Sequence, residues 1–451
     1  MTRYNGETDM QTGKRVAGVR DDFIPASDYI DPAFAALEAE LLWPRVWQMA
    51  CREEELANPG DFVTYDILDE SIIVMRSSDG EIRAFYNVCP HRGRRLTDGC
   101  GRAVHLTCPY HGWRWNLDGS SLEIVDGQDW GDALGPEDAA LGPVQVGRWG
   151  GWVFICMDPE APSLEEFLQP ARDYLDPYEI EKMRYKWRRQ AILPANWKVA
   201  LEAFDEAYHV QTTHRQLLRH YQDYTYSKEI GLHGMFGTAP DGYPFLPSQR
   251  LGKPEPTDLR PFAAGFYSDI KSTLDAMLTD GTLAAAQRVA EMPEESTPDE
   301  LITALFGFMI EEEEKSGRGW PAITPEQIAR AGADWHIFPN MVLLQQPTSL
   351  LGYRARPMPG NPDKCIYDIY ALERYAPGTE PKDVPVQTHD DLLSVDHWGL
   401  ILVQDFRNMA AIQSGMKSRG FRGARPSPVQ ERAVSNFHLS LRRFMKLECE
   451  E

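Results

Sequence analysis

Cys89-Pro90-His91-Arg92-Gly93 and, further on, Cys108-Pro109-Tyr110-His111-Gly112-Trp113 decide how this sequence is read. Reduced to ligand types, the pattern is Cys-x-His, sixteen intervening residues, then Cys-x-x-His. Each loop offers one thiolate and one imidazole, and each Cys is followed directly by Pro. Such a set can hold tetrahedral zinc, or a [2Fe–2S] cluster with two Cys on one iron and two His on the other. Zinc-finger spacing brings a Cys pair and then a His pair, the latter on a helix. Here each loop brings one of each kind, which suits two irons that each take one ligand from each loop. The flanking segments 103–107 and 114–117 read as short strands rather than as a finger helix. Cysteines buried merely as small hydrophobes would not account for four ligands at this spacing.

Outward from these loops, residues 43–160 read as a small all-β domain. Short alternating runs at 61–67, 71–76 and 82–87 are separated by turns such as Ser78-Asp79-Gly80 and Leu117-Asp118-Gly119. A buried strand at 149–157 closes it, and Asp158-Pro159-Glu160-Ala161-Pro162 is a linker. Before it, residues 1–42 form a polar arm and a helix from Pro32 to Leu42, with Pro32 in the first turn where a missing N–H costs little. After it, residues 161–451 read as an α+β domain of antiparallel strands and long helices. A helix is expected at 163–173, strands at 183–193, 335–344, 349–356 and 365–374, and helices at 263–278, 282–290 and 298–314. A C-terminal helical region runs from about 391 to 446 with a pause at 420–428. The acidic run Glu311–Glu314 reads as a solvated helix end. Tyr221, Tyr224, Tyr226, Phe236, Tyr243, Phe245, Phe262, Phe266 and Tyr267 make the start of 215–333 aromatic-rich, as a pocket wall or as core.

With 451 residues, 42% hydrophobic composition and 12 Trp, the chain can bury more than one core. A formal net charge of −22 argues against nucleic acid and anionic membranes as partners. Cys51, Cys100, Cys156, Cys365 and Cys449 show no pairing pattern, as expected of a reducing cytoplasm. The first 22 residues lack an apolar secretory core, and no apolar run approaches a membrane span.

A second constellation lies in Glu206-Ala207-Tyr208-His209-Val210-Gln211-Thr212-Thr213-His214. Two His and a carboxylate from elsewhere would make a facial triad that leaves positions open on Fe(II) for dioxygen and substrate. On a regular helix His209 and His214 would point about 140° apart. They can share a metal only if the helix bulges or ends between them. For the carboxylate, Asp405 is an acid on an otherwise apolar face, where an unpaired carboxylate is costly; pairing with an Arg is the alternative. Asp390, Asp391 and Asp396 lie in a more polar stretch. Glu206, three residues before His209, shares its helix face and could hydrogen-bond an imidazole; Asp205 is the adjacent acid. His220, His233, His336, His389 and His397 have no ligand-like neighbours.

Nearly the whole chain resembles the catalytic α subunit of a Rieske non-haem iron aromatic-ring-hydroxylating oxygenase. The resemblance implies an N-terminal Rieske domain and a helix-grip (START-like) catalytic domain. Cys89, His91, Cys108 and His111 would hold one [2Fe–2S] cluster, and His209, His214 and Asp405 one Fe(II). Glu206 would bridge to a cluster His of the neighbouring subunit; many dioxygenase members have Asp there. The stretch Gln404-Asp405-Phe406-Arg407-Asn408-Met409 is one residue shorter than the Gln-Asp-Asp-x-Glu-Asn-Met form of biphenyl-type enzymes. The implied activity is mono- or dihydroxylation of an aromatic or other hydrophobic ring, with O/N-demethylation or plain electron carriage as alternatives. No flavin or nicotinamide fingerprint is visible, so NAD(P)H would act through a separate reductase, with or without a ferredoxin. The expected assembly is a homotrimer or an α3β3 complex with a small β subunit, working in the cytoplasm.

Overall fold

The alternating runs that begin at residue 48 join into a seven-stranded antiparallel sheet. Its order is Gln48–Arg52, Trp152–Cys156, Pro143–Trp149, Ile82–Tyr86, Glu70–Arg76, Asp61–Ile67 and Cys100–Arg102. This is a computed structural model, and it describes residues 22–238 and 244–447. The arm at 1–21, Tyr243 and Cys449 therefore lie outside the described residues. Where the sequence suggests one buried strand at 149–157, the chain makes a hairpin. Gly150 and Gly151 take φ of +58° and +80°, so Trp149 pairs with Trp152. Positive φ at two successive positions is cheap only for glycine. The preceding strand escapes notice because its pattern, Pro-Val-Gln-Val-Gly-Arg-Trp, does not alternate cleanly.

A three-stranded sheet of Leu106–Thr107, Arg114–Trp115 and Ser121–Glu123 sits beside it. Both strands flanking Cys108 and His111 are shorter than the spacing suggests. Phe62, Ile73, Phe85, Trp113 and Trp115 form a separate small core around Cys89 and Cys108.

The second, eight-stranded sheet runs Thr225–Ile230, His233–Thr238, Asp334–Ile337, Met341–Gln346, Ser349–Met358, Asn361–Arg374, Met183–Leu193 and Val386–Thr388. Only the last strand pairs in parallel. The first two come from the stretch read as mixed, and the run expected at 335–344 is a hairpin of two strands. The helix expected at 163–173 is broken into Leu164–Leu168 and Arg172–Leu175, because Pro170 has no N–H to continue it. Pro261–Thr273, Asp280–Ala290 and Pro298–Lys315 form the helical layer of 215–333. In the last of these, Glu313 is buried against Thr279 and Arg318, so the acidic run is not wholly solvated. Tyr221, Phe245, Phe266 and Tyr267 pack on one another at centroid distances of 5.0–6.5 Å.

Strand side chains alternate between faces, and the two faces of this sheet do different jobs. Tyr353 and Tyr367 point to one side, where Phe204 stacks on Tyr353 at 3.9 Å. Arg354, Arg356 and Asp368 point to the other and meet the seven-stranded sheet. Arg354 donates to the carbonyls of Met49 and Ala50 at 2.8 Å each, and Arg356 donates to that of Asp66 at 2.8 Å. Asp368 lies 2.8 Å from Arg354 and 3.2 Å from Arg356. Burial alone would raise the Asp368 carboxyl, but the charges of the two guanidiniums hold it well below the usual carboxylate range.

Removing one partner of such a buried set leaves the others uncompensated. Asp368→Asn should therefore destabilise the protein by about 3–5 kcal/mol in urea unfolding at neutral pH. Because the folded carboxyl titrates below the unfolded one, its contribution is full above the unfolded value and is lost as pH falls towards the folded value. The acid-induced drop in stability should accordingly be shallower in the variant.

Candidate metal centres

The two Cys-Pro loops fold into the same turn. The Cys89 carbonyl accepts from Gly93 N at 2.9 Å, and the Cys108 carbonyl accepts from Gly112 N at 3.0 Å. Cys89 N donates to the Arg94 carbonyl at 2.9 Å, and Cys108 N to that of Trp113 at 2.8 Å. Gly93 and Gly112 close the turns at φ of +72° and +77°. The loops bring the His91 and His111 rings to 4.6 Å centroid separation. His91 stacks on Trp113 at 4.9 Å with the planes 5° apart. Both Nδ1 atoms are buried without a hydrogen-bond partner among the described residues. Both Cys are buried, and burial pushes the Cys89 thiol up. Two unpartnered imidazole nitrogens beside two buried thiols fit a [2Fe–2S] group, since bound iron would take both nitrogens and deprotonate the thiols. Asn87, which the motif does not reveal, braces the first loop. Its side chain accepts from Leu96 N and Thr97 N and donates to the Thr97 carbonyl at 2.7 Å.

The His209 segment is not the continuous helix the sequence suggests. The helix Trp197–Glu202 stops, and one turn, Val210–Thr213, follows with His209 and His214 as its caps. His214 leaves helical geometry at φ −112°, ψ 45°, which lets two side chains five residues apart converge. Glu206 accepts from His209 N at 3.0 Å and meets its Nδ1 at 2.7 Å. The Gln404 side-chain oxygen meets His214 Nδ1 at 2.8 Å. With both Nδ1 atoms engaged, both Nε2 atoms face Asp405 Oδ1, at 3.8 Å from His209 and 2.9 Å from His214.

The three ligand atoms lie within 4.8 Å of one another. Asp405 is buried with Oδ2 unpartnered among the described residues, and its ring contacts are to imidazoles rather than to an Arg. An oxygen left bare, with two imidazole Nε2 atoms turned to its sister oxygen, fits a divalent metal, and Nδ1 bonds of this kind fix the ligating tautomer. Burial works to lower the His209 imidazole, but the hydrogen bond and charge of Glu206, with the charge of Asp405, raise it.

Of the other candidates, Asp390, Asp391 and Asp396 are exposed and outside this group. Asp205 pairs with His336 instead of His209, lying 2.9 Å from His336 Nδ1, with both side chains fully buried. His336 thus has a carboxylate partner that its sequence neighbours do not announce. Gln404, adjacent to Asp405, is the residue of the site that sequence reasoning passed over.

Two families match the chain: Rieske [2Fe-2S] domain over residues 46–128 and Ring hydroxylating alpha subunit (catalytic domain) over residues 171–447. The chain belongs to the ring-hydroxylating, Rieske-type oxygenase α-subunit family, whose members pair a [2Fe–2S] centre with a mononuclear iron. It is 36% identical over 205 residues to the glycine betaine monooxygenase oxygenase subunit of Chromohalobacter salexigens, covering 45% of this chain and 46% of that protein. It is 34% identical over 189 residues to the large oxygenase component of the naphthalene 1,2-dioxygenase system of Pseudomonas aeruginosa, covering 40% and 42%. The chain thus spans about half the length of the curated relatives it matches. A solved quaternary ammonium Rieske monooxygenase, described in terms of carnitine oxidation and inter-subunit electron transfer, shares the fold. Its TM-score is 0.64 at 20% identity, over 95% of this chain and 96% of that one.

Metal analysis separates the two centres. His209→Ala, His214→Ala and Asp405→Ala should each lose about one iron per chain while keeping the visible spectrum of the cluster, whereas His111→Cys should change that spectrum. Full iron in Asp405→Ala would remove it from the ligand set. Loading also carries a pH signature, because iron must displace any proton on His209. Iron uptake by apoprotein should fall away on acidification at a pH above that of an ordinary histidine, and Glu206→Gln should move that midpoint down.

Proposed function

We propose that this chain is the terminal oxygenase of a multicomponent system and inserts one oxygen atom into an N-methyl group of a quaternary ammonium compound. The observation that carries the oxygenase reading is the convergence of two imidazole Nε2 atoms on one buried Asp405 oxygen. When bound, the cluster supplies single electrons and the mononuclear iron binds and activates dioxygen. The chain's own part is positional. Glu206 and Gln404 hold the two rings in the ligating tautomer, with His214 and Asp405 buried and His209 left partly exposed. The substrate class is supported by the likeness to the glycine betaine enzyme. The methyl group would leave as formaldehyde after hydroxylation, one oxygen atom of O2 going to the product and the other to water. The two electrons come from NAD(P)H through a separate reductase, with or without a ferredoxin.

Ring hydroxylation is the second reading. It is favoured by the naphthalene dioxygenase match and by the stacked aromatic wall of Phe204, Tyr353 and Tyr367, which would receive a flat ring. The working surroundings are the cytoplasm, in keeping with six unpaired cysteines among the described residues; among them no helix is long and apolar enough to cross a membrane. With a suitable reductase and NADH, the holoenzyme should release formaldehyde from glycine betaine, carnitine or tetramethylammonium. Diol or phenol formation from naphthalene alone would replace this reading with the second one.

Cys89, His91, Cys108 and His111 are assigned to the cluster, and His209, His214 and Asp405 to iron. Glu206 is assigned to the electron path between them, across the interface of a homotrimer or of an α3β3 ring. Co-expression of Cys108→Ser with His209→Ala chains, each inactive alone, should restore part of the turnover in mixed oligomers, because some interfaces then join an intact cluster to an intact iron site. Dead mixed oligomers would place the path within one chain.

A further inference from the structure

Asp334 opens the strand Asp334–Ile337 and is 0% exposed, yet neither carboxyl oxygen has a hydrogen-bond partner among the described residues. A buried acid in that state is costly, since its lost hydration is not replaced. Burial pushes the Asp334 carboxyl well up, and the next influence on it is the like charge of Asp205. Nothing among the described residues accounts for an acid here.

Its position is informative. Side chains two apart on a strand share a face, so Asp334 lies on the side of the sheet that carries His336, whose Nδ1 meets Asp205. Val342 pairs with both His336 and Tyr353, which puts Tyr353 on the same face, and Phe236 pairs directly with Asp334. Burial first, then the charges of Asp405 and Asp334, raise the Tyr353 phenol, so Tyr353 stands within electrostatic reach of both acids. Tyr367 Oη on this face, and Oδ2 of Asp405 on the helix Leu400–Met416, are unpartnered among the described residues as well. The side of the sheet that faces the iron ligands thus combines bare oxygens with aromatic rings.

This chemistry suits one kind of ligand group. A carboxylate with tyrosine neighbours is a poor metal set beside the group of two histidines and one aspartate already present. A quaternary ammonium carries positive charge but no N–H. It needs no directed hydrogen bond, and aromatic faces with one nearby anion are what stabilise it out of water. We propose that Asp334 is the carboxylate that receives the quaternary ammonium group of the substrate, making it the residue that selects a cation over a neutral molecule of the same shape. This rests on the ammonium reading above, and the experiment separates the two.

Calorimetric binding to the holoenzyme compares glycine betaine with 3,3-dimethylbutanoate, in which carbon replaces the charged nitrogen. The unmodified enzyme should prefer betaine. Asp334→Asn should weaken betaine by about thirtyfold or more and leave the carbon analogue unchanged. If the unmodified enzyme shows no preference for the charged compound, both the ammonium reading and the Asp334 assignment fall. If it prefers betaine and Asp334→Asn keeps that preference, only the Asp334 assignment falls. A purely structural Asp334 would lower thermal stability on substitution; removal of an unpartnered buried acid should leave stability and iron content intact or raise stability. Should the variant not fold, infrared difference spectra of the unmodified holoenzyme decide. Tetramethylammonium should abolish the band of a buried protonated carboxyl, tert-butanol should not, and an unchanged band with tetramethylammonium overturns the assignment.

Discussion

One oxygen of Asp405 faces the Nε2 atoms of two imidazoles, and much of the catalytic domain is arranged to make that meeting hold. The rings cannot turn freely, because each Nδ1 is engaged, one by Glu206 and one by Gln404. The helix Leu400–Met416 that delivers Asp405 is itself tied down. Asn408 donates to Thr213 Oγ1 at 2.9 Å, and Gln413 accepts from Asn196 N at 2.8 Å at the start of the site helix. The ends of the described chain join the same support. Tyr29 Oη donates to Glu202, His438 meets Glu202 at 2.6 Å, and Arg442 pairs with Asp28 at 2.7 Å. An N-terminal segment and a C-terminal helix thereby hold one short helix in place.

The Cys and His loops are legible in the sequence because ligand chemistry dictates both residue type and spacing. Asp405 is legible for a different reason: a lone acid on an apolar helix face needs an explanation. The convergence of His209 and His214 is readable only as a condition, that the helix end between them, since no residue there forbids a longer helix. Gln404 and the Asp205–His336 pair are invisible because their partners are 190 and 131 residues away. The missed hairpins differ in cause. Pro143–Trp149 does not alternate cleanly, being set by pairing to neighbours rather than by local pattern, whereas Asp334–Ile337 alternates but runs on into Met341–Gln346 as one strand-like stretch. Buried Glu313 shows the same limit from the other side, as a charge run gives no hint of which of its members turns inward.

The two cluster loops also show how backbone geometry can be shared without side-chain identity. The His is two residues after Cys in one loop and three after it in the other. The carbonyl-to-amide closures and the left-handed glycines are nevertheless the same. The repeated turn fixes the sulfurs, and the offset His positions let two rings approach from one side. Trp113 then limits the rotation of His91 by stacking. The centre is thus framed by hydrogen bonds that do not depend on metal.

The guanidinium contacts between the two sheets carry a mechanical consequence. Arg354 and Arg356 reach from the catalytic sheet to backbone carbonyls of Met49, Ala50 and Asp66, and backbone carbonyls cannot rotate away as side chains can. The small sheet is therefore bolted to the large one instead of hanging from the 158–162 segment. A carrier on a loose tether reaches its acceptor by swinging, at a rate set by viscosity and tether length. A bolted carrier has a constant spacing to every atom of its own chain, so its electron transfer should be insensitive to solvent viscosity and should respond to whatever fixes the distance between neighbouring bodies.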